Sequence, residues 1–377
     1  MSNGRCDDTV TLVCGTRPEL IKLAPLIRYF GGQAAVVYTG QHYDESMYSL
    51  IKQDIAEPGR FHELALGGVR RGRQLGQSVA AVDEIIASHP TGAVLVQGDT
   101  TSALAGALAA NANDVPLVHI EAGLRSYDRA MPEEHNRVVI DHLADLCCAP
   151  THLNRTNLLA EAVPADRIAV TGNTVVEALR AAVPAPAERR AVLDGLGLVR
   201  DNYVLATIHR PENVDVPDRL ACILGELAQL PLPVVLPLHP RTGKRIEQFG
   251  MGGLLAKVRV IDPQAYPAFL ALMWGAAVIV SDSGGVQEEV SVLKRPVVVV
   301  RRSTERPEIE GSFGTLVTPE MPEKSLYHEV VRWLDDVDGH RTRLAAVPSP
   351  YGEGSPSERI ADAVRGLTAA RSMVAAT

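Results

Sequence analysis

Three carboxylates of this 377-residue chain stand where proton transfer can be done. Asp99 follows the apolar run 93–97, Glu121 follows 116–120, and Glu133 lies in Met131-Pro132-Glu133-Glu134-His135-Asn136-Arg137. A carboxylate after a buried strand is costly unless it is paired or employed, so three of them gathered at one sheet edge point to acid–base chemistry. Pairing with Arg125, Arg129 or Arg137 is the bland alternative for each. His209, in Thr207-Ile208-His209-Arg210-Pro211, can donate to a phosphate or shuttle a proton near neutral pH. His239, in Leu238-His239-Pro240-Arg241, reads rather as a structural donor.

A second group of residues suits an anion. In Gly15-Thr16-Arg17-Pro18-Glu19-Leu20-Ile21-Lys22 a strand turns through glycine into a helix whose proline fits the first turn, with Arg17 and Lys22 able to add charge. In Ser283-Gly284-Gly285-Val286-Gln287-Glu288-Glu289 two glycines let the backbone approach a phosphate, and Ser283 offers a cap and a hydroxyl. Glu289, inside the following helix, can accept ribose hydroxyls. Arg306, between Glu305 and Pro307, is placed to clamp a phosphate or sugar. Each also has a plain reading, as a capped helix or as a solvated loop of mixed charge.

These residues require a scaffold with many strand ends. Short β-branched runs at 9–14, 34–38, 93–97, 116–120 and 168–171 alternate with helix-like stretches, the rhythm of a parallel sheet. An Ala/Pro/Arg-rich stretch, 181–190, interrupts the rhythm before it resumes at 203–207, 234–238, 258–261, 277–281 and 296–300. The pattern predicts an α/β chain of two Rossmann-like, doubly wound parallel-sheet lobes: 1–178, with the closing helical segment 355–377 packing back on it, and 179–354. Ligands of such sheets sit beyond the carboxyl ends of the strands, which places the expected site in a central cleft between the lobes.

Composition narrows the classes. The net charge is −8, and no basic block is long enough to follow a phosphodiester backbone, so nucleic acid is disfavoured as a partner. The longest apolar stretch, 269–280, is too short to cross a bilayer, and the polar start, which reaches a strand-like run within ten residues, leads us to expect no signal peptide. Five cysteines without a CxxC pair fit reduced thiols and a cytoplasmic location. No GxGxxG follows the first strand, and GxxxxGK[ST], HExxH and GxSxG are missing. His135 and His142, seven apart, lack the companions of a metal site, and no metal is expected.

Taken in order, these segments resemble the non-hydrolysing UDP-N-acetylglucosamine 2-epimerase family. The likeness is carried by Gly15-Thr16-Arg17-Pro18-Glu19, Gly98-Asp99-Thr100-Thr101, His119-Ile120-Glu121-Ala122-Gly123-Leu124-Arg125, Pro132-Glu133-Glu134 and Thr171-Gly172-Asn173-Thr174. It continues through His209-Arg210, Asp262-Pro263-Gln264, Asp282 to Glu289 and Thr304-Glu305-Arg306-Pro307-Glu308. The resemblance implies the glycosyltransferase B type of fold, a homodimer, no cofactor, and UDP held mainly by the C-terminal lobe. It implies that Gln264 and Phe269 contact uracil and Glu289 the ribose. Ser283, Gly284, Gly285, Arg17, Lys22, His209 and Arg306 would serve the diphosphate or sugar. It also implies elimination of UDP from UDP-N-acetylglucosamine to 2-acetamidoglucal, followed by re-addition after a proton reaches the opposite face of C2, with Asp99, Glu121, Glu133 and His209 as the catalytic set.

Two departures stand out: Pro211-Glu212 follows His209-Arg210 where many bacterial members carry Arg-Glu, and Gln41-His42-Tyr43-Asp44 lacks the basic residue of an allosteric site found in some members. Rival readings are a hydrolysing epimerase, a glycosyltransferase of the same fold, and a non-catalytic nucleotide-sugar sensor.

Overall fold

The computed structural model describes residues 9–40, 58–318 and 325–375; the segment Gln41-His42-Tyr43-Asp44 lies outside them. The chain divides into two compact units, 1–178 with 351–377, and 179–350.

In the first unit seven strands form a parallel sheet: β1 Val10–Cys14, β2 Ala34–Tyr38, β3 Arg60–Glu63, β4 Ala93–Gln97, β5 Leu117–Ile120, β6 Leu146–Ala149 and β7 Ile168–Val170. Their order is β3-β2-β1-β4-β5-β6-β7. The inner strands β1, β4 and β5 are covered on both faces, so they are mostly apolar rather than alternating. Val10, Leu12 and Cys14 of β1 pack with Leu23 and Ile27 of helix Arg17–Phe30 and with Ile360, Ala361 and Val364 of the closing helix Pro356–Ala375. Val13 points the other way, with Val94, Val96 and Ala103. Gly106 of helix Thr101–Ala112 packs so closely on the sheet that a Cβ there would stand 2.8 Å from Val96 and 2.9 Å from Val13.

Six strands form the parallel sheet of the second unit: β8 Val204–Thr207, β9 Val234–Pro237, β10 Val258–Ile261, β11 Val278–Ser281, β12 Val297–Val300 and β13 Gly314–Val317, in the order β10-β9-β8-β11-β12-β13. Both orders reverse direction once, between β1 and β4 and between β8 and β11. At such a switch point the two following loops diverge and leave a crevice at the carboxyl ends of the strands. The expected α/β chain with two doubly wound parallel sheets is what the structure shows. Three strands, β3, β6 and β13, carry no matching run in the sequence reading.

Among the described residues no helix is long and apolar enough to cross a membrane.

Candidate active site

At the switch point of the first unit, the end of β1 and the end of β4 are joined by Glu19. Its Oε2 accepts from the backbone N–H of Gly15 (3.1 Å) and Thr16 (2.8 Å), closing a capping box with Thr16, and its Oε1 accepts from the Thr100 hydroxyl at 2.6 Å. The donors expected to receive a ligand anion are thus taken by the chain's own carboxylate. Gly15 is required there because a Cβ would meet the Ser102 hydroxyl at 1.8 Å. Arg17, partly exposed at the first helical position, has no hydrogen bond or ion pair among the described residues.

Burial pushes the Glu19 carboxyl up from 4.5 to about 7, with its hydroxyl and backbone donors pulling partly back. A folded value above the unfolded one means stability that is full below about pH 4.5 and is lost as pH rises through about 7. This group is therefore expected to withdraw on the order of 3 kcal/mol between about pH 5 and 8. Glu19→Gln should flatten that part of the stability curve. Urea midpoints of both chains at several pH values check this, and parallel curves would contradict it.

Asp99 and Glu121 follow neighbouring strands, β4 and β5, paired in register with Gln97 opposite Ile120. Glu121 is buried, with its backbone in the left-handed region at φ +68°, a conformation that costs a residue with a Cβ about 1 kcal/mol or more. Its Oε2 accepts from Lys22 Nζ at 2.7 Å, Gln97 Nε2 at 2.6 Å and Asn173 Nδ2 at 3.4 Å. The partner is thus a lysine from the first helix rather than a neighbouring arginine. Lys22, itself buried, holds Glu121 in place.

Asp99 is partly exposed and pairs with Arg137, while Asn136 Nδ2 donates to its backbone carbonyl at 2.7 Å. Both partners belong to helix Pro132–Leu143. Glu133 lies in the first turn of that helix and is exposed, not at a strand end. Its neighbour Glu134 is the buried one, and anchors the preceding loop through Ser126 and Tyr127 N–H at 3.0 and 2.9 Å. Arg125 faces Asp141 and Glu161 and leaves the catalytic candidates alone.

In the second unit the switch point is spanned by His209 and Asp282. Asp282, fully buried, accepts from the N–H of His209 and Arg210 (3.0 and 2.8 Å), from Asn213 Nδ2 (3.0 Å) and from His209 Nδ1 at 3.1 Å. Burial alone would raise this carboxyl, but the His209 ring and the other donors outweigh it and hold it below the usual carboxylate range. The imidazole is thereby oriented, with Nδ1 on the carboxylate and Nε2 turned away from it. The His239 ring lies 5.2 Å from that of His209 and its Nδ1 accepts from Arg241 N–H, so it caps its helix as an acceptor. Pro211, the departure after Arg210, begins the short helix Pro211–Val214 that presents Asn213 to Asp282.

Ser283, Gly284 and Gly285 open helix Gly284–Leu293, whose first N–H groups have no partners within the helix. Ser283 makes no capping bond with its side chain, so the hydroxyl is left for another acceptor or donor. A Cβ at Gly284 would lie 2.8 Å from Arg306 Nη1: this glycine makes room for a guanidinium above the helix start. Arg306 is itself fixed, with Nε on Glu288 at 2.7 Å and Nη1 on Glu305 at 3.3 Å, and Arg301 binds Glu305 in turn at 2.6 Å. The charge-dense loop is an ordered buried network. Glu289 is buried and accepts from the Tyr266 hydroxyl at 2.8 Å. Burial first, then the Glu289 charge, raises the Tyr266 phenol. Gln264 donates to the Asp262 carbonyl at 2.7 Å, and Phe269 is half-buried on helix Tyr266–Gly275.

Sequence reasoning missed Asp282 and Tyr266 as orienting residues. A buried aspartate following an apolar strand was the available signal for the first; Tyr266 gave none.

Oriented polar groups at the switch points of two parallel sheets, with strain stored at a carboxylate-bearing turn, define an α/β enzyme. The family model described as UDP-N-acetylglucosamine 2-epimerase matches residues 31–365, and the chain belongs to that family of isomerases. The chain is 35% identical over 364 residues to the UDP-N-acetylglucosamine 2-epimerase of Methanocaldococcus jannaschii, covering 93% of this chain and 97% of that one. It is 36% identical to the UDP-2,3-diacetamido-2,3-dideoxy-D-glucuronate 2-epimerase of Pseudomonas aeruginosa, covering 94% and 98%. A solved structure of the Neisseria meningitidis UDP-GlcNAc 2-epimerase bound to UDP-GlcNAc superposes with a TM-score of 0.82 at 31% identity, covering 95% of this chain and all of that one.

Proposed function

We propose that the chain is a non-hydrolysing UDP-N-acetylglucosamine 2-epimerase. A base takes the C2 proton, the C1–oxygen bond breaks with its electron pair leaving on UDP, and 2-acetamidoglucal forms. A proton is then delivered to the opposite face of C2, and the UDP oxygen bonds C1 again, giving UDP-N-acetylmannosamine. Asp99, Glu121 and Glu133 of the first unit are the proton-transfer groups, with Lys22 holding Glu121. In the second unit His209 and Arg306, together with Ser283, Gly284 and Gly285, take the diphosphate. Glu289 takes the ribose, Gln264 and Phe269 take the uracil, and Arg17 adds charge to the departing UDP.

The observation that carries this reading is Glu121, a carboxylate held by a buried lysine in a strained turn at a strand end, which a merely structural ion pair does not require. Incubating the enzyme with UDP-N-acetylglucosamine and following carbon and phosphorus resonances is expected to show an equilibrium of two intact UDP-sugars. Accumulating UDP with free N-acetylmannosamine would instead identify a hydrolysing enzyme. The Pseudomonas relative supports running the same assay with the diacetamido-glucuronate, which carries the same acetamido group at C2.

Gly284→Ala should weaken UDP binding about tenfold or more by displacing Arg306, since a hydrogen bond to a charged group is worth roughly 1.5–3 kcal/mol. Titration calorimetry with UDP reads this, and unchanged affinity would remove Arg306 from the diphosphate site. We propose further a homodimer in the cytoplasm, the state implied by the resemblance and compatible with the free thiols of Cys14, Cys147, Cys148 and Cys222. Sedimentation at micromolar concentration checks the dimer.

A further inference from the structure

His119, on β5 two residues before Glu121, has a fully buried ring that none of the roles above uses. Its Nδ1 lies 2.6 Å from Asp141 Oδ1 and its Nε2 2.8 Å from the carbonyl oxygen of Gly98. The carbonyl can only accept. The other oxygen of Asp141 receives Arg125 Nη2 at 2.7 Å and the Gly123 N–H at 3.2 Å. An imidazole between two acceptors satisfies both only when both of its nitrogens carry hydrogen.

The surroundings balance that charge. Asp141 and Glu161 offset His119 and Arg125, and Arg125 is bonded to Glu161 at 2.6 Å. Burial alone would raise the Asp141 carboxyl, but the His119 and Arg125 charges outweigh it and keep it ionised. The nearby Cys147 thiol is pushed up by burial and by Asp141, and so stays neutral. The network ends on both carboxylate-bearing turns. Gly98, at φ +68°, precedes Asp99, and Gly123, at φ +80°, lies two residues beyond Glu121. A Cβ at Gly123 would stand 2.4 Å from the Asn154 carbonyl, so this turn is confined from outside as well.

We infer that His119 is a positioning residue, held as an imidazolium, that fixes the Asp99 turn through Gly98 and the Glu121 turn through Asp141. Its kinetic consequence rests on the proton-transfer roles proposed above for Asp99 and Glu121; its protonation and its hold on the two turns do not.

Nitrogen NMR of histidine-labelled protein at about pH 7.5 is expected to show both His119 ring nitrogens protonated, and one bare nitrogen overturns the charge. Hydrogen exchange at the Gly98 and Gly123 amides should quicken about tenfold or more in His119→Phe, and unchanged exchange there overturns the hold on the turns. These two readings stand even if the wild type proves inactive on UDP-N-acetylglucosamine, a result that would remove only the functional reading. With an active wild type, kcat of His119→Phe should fall about 100-fold while KM and UDP affinity stay within about threefold. His119→Gln should recover part of the loss, because its amide can still donate to Gly98. Wild-type kcat in both variants, or a loss that follows melting temperature and UDP affinity alone, overturns the positioning role.

Discussion

Glu121→Gln is expected to lower turnover about 1,000-fold while UDP affinity changes by less than about threefold. The substitution keeps shape and volume and removes only the charge and basicity. Because Lys22 Nζ, Gln97 Nε2 and Asn173 Nδ2 all converge on one oxygen of Glu121, an amide there would set donor against donor or leave the buried ammonium unbalanced. A stability cost of about 1–3 kcal/mol should therefore accompany the loss of activity. The two effects separate in one experiment. Turnover, UDP affinity and the urea midpoint are measured on the same preparation, and UDP affinity reports on the residues proposed above for UDP, most of them in the other unit. Asp99→Asn should behave alike in turnover. Wild-type turnover in either variant removes that carboxylate from the mechanism.

The second large effect is expected for Asp282→Asn. Four donors from His209, Arg210 and Asn213 converge on this buried carboxylate, and an amide can accept on only one of its two atoms. The variant should lose about 3 kcal/mol of stability, since a buried group is left facing donors it cannot satisfy. His209 would also lose the partner that fixes its ring, so turnover should fall further than His209 exposure alone would suggest, by roughly 100-fold. Because the folded value of Asp282 is depressed, its contribution is present at neutral pH and is lost as pH falls below the ordinary carboxylate range. The variant should therefore approach the wild type in stability as the solution is acidified. A stability difference that persists unchanged at low pH would contradict the ion-pair account.

The strands that the sequence reveals are those rich in β-branched residues, clearest where they are buried on both faces, as in Val297–Val300. The others escape for local reasons. Arg60–Glu63 is a polar edge strand, Leu146–Ala149 is Leu-Cys-Cys-Ala without one β-branched residue, and Gly314–Val317 opens on a glycine. Strand-end position alone located Asp99, Glu121 and His209, because an abrupt polar residue after an apolar run is visible in one dimension. Partner choice was not visible. Lys22 and Glu121 are 99 residues apart, and only the parallel order of β1, β4 and β5 brings their side chains together. Glu19 shows the same limit from the other side: Gly15-Thr16-Arg17-Pro18-Glu19 looks like an anion site, but its backbone donors at Gly15 and Thr16 go to the carboxyl group of the motif's own last residue. Gly284 reads as a phosphate-binding glycine, and the fold adds what the sequence could not show, that the space left by its missing side chain is bordered by the Arg306 guanidinium.

The proposed chemistry turns on one bond, between carbon and hydrogen at C2 of the sugar. Incubation with UDP-N-acetylglucosamine in deuterated water, followed by proton NMR, reads that bond directly. Deuterium at C2 of both UDP-N-acetylglucosamine and UDP-N-acetylmannosamine, absent when Glu121→Gln is used, is the predicted result. A preparation that binds UDP yet leaves C2 fully protonated, with no second UDP-sugar formed, would contradict the account.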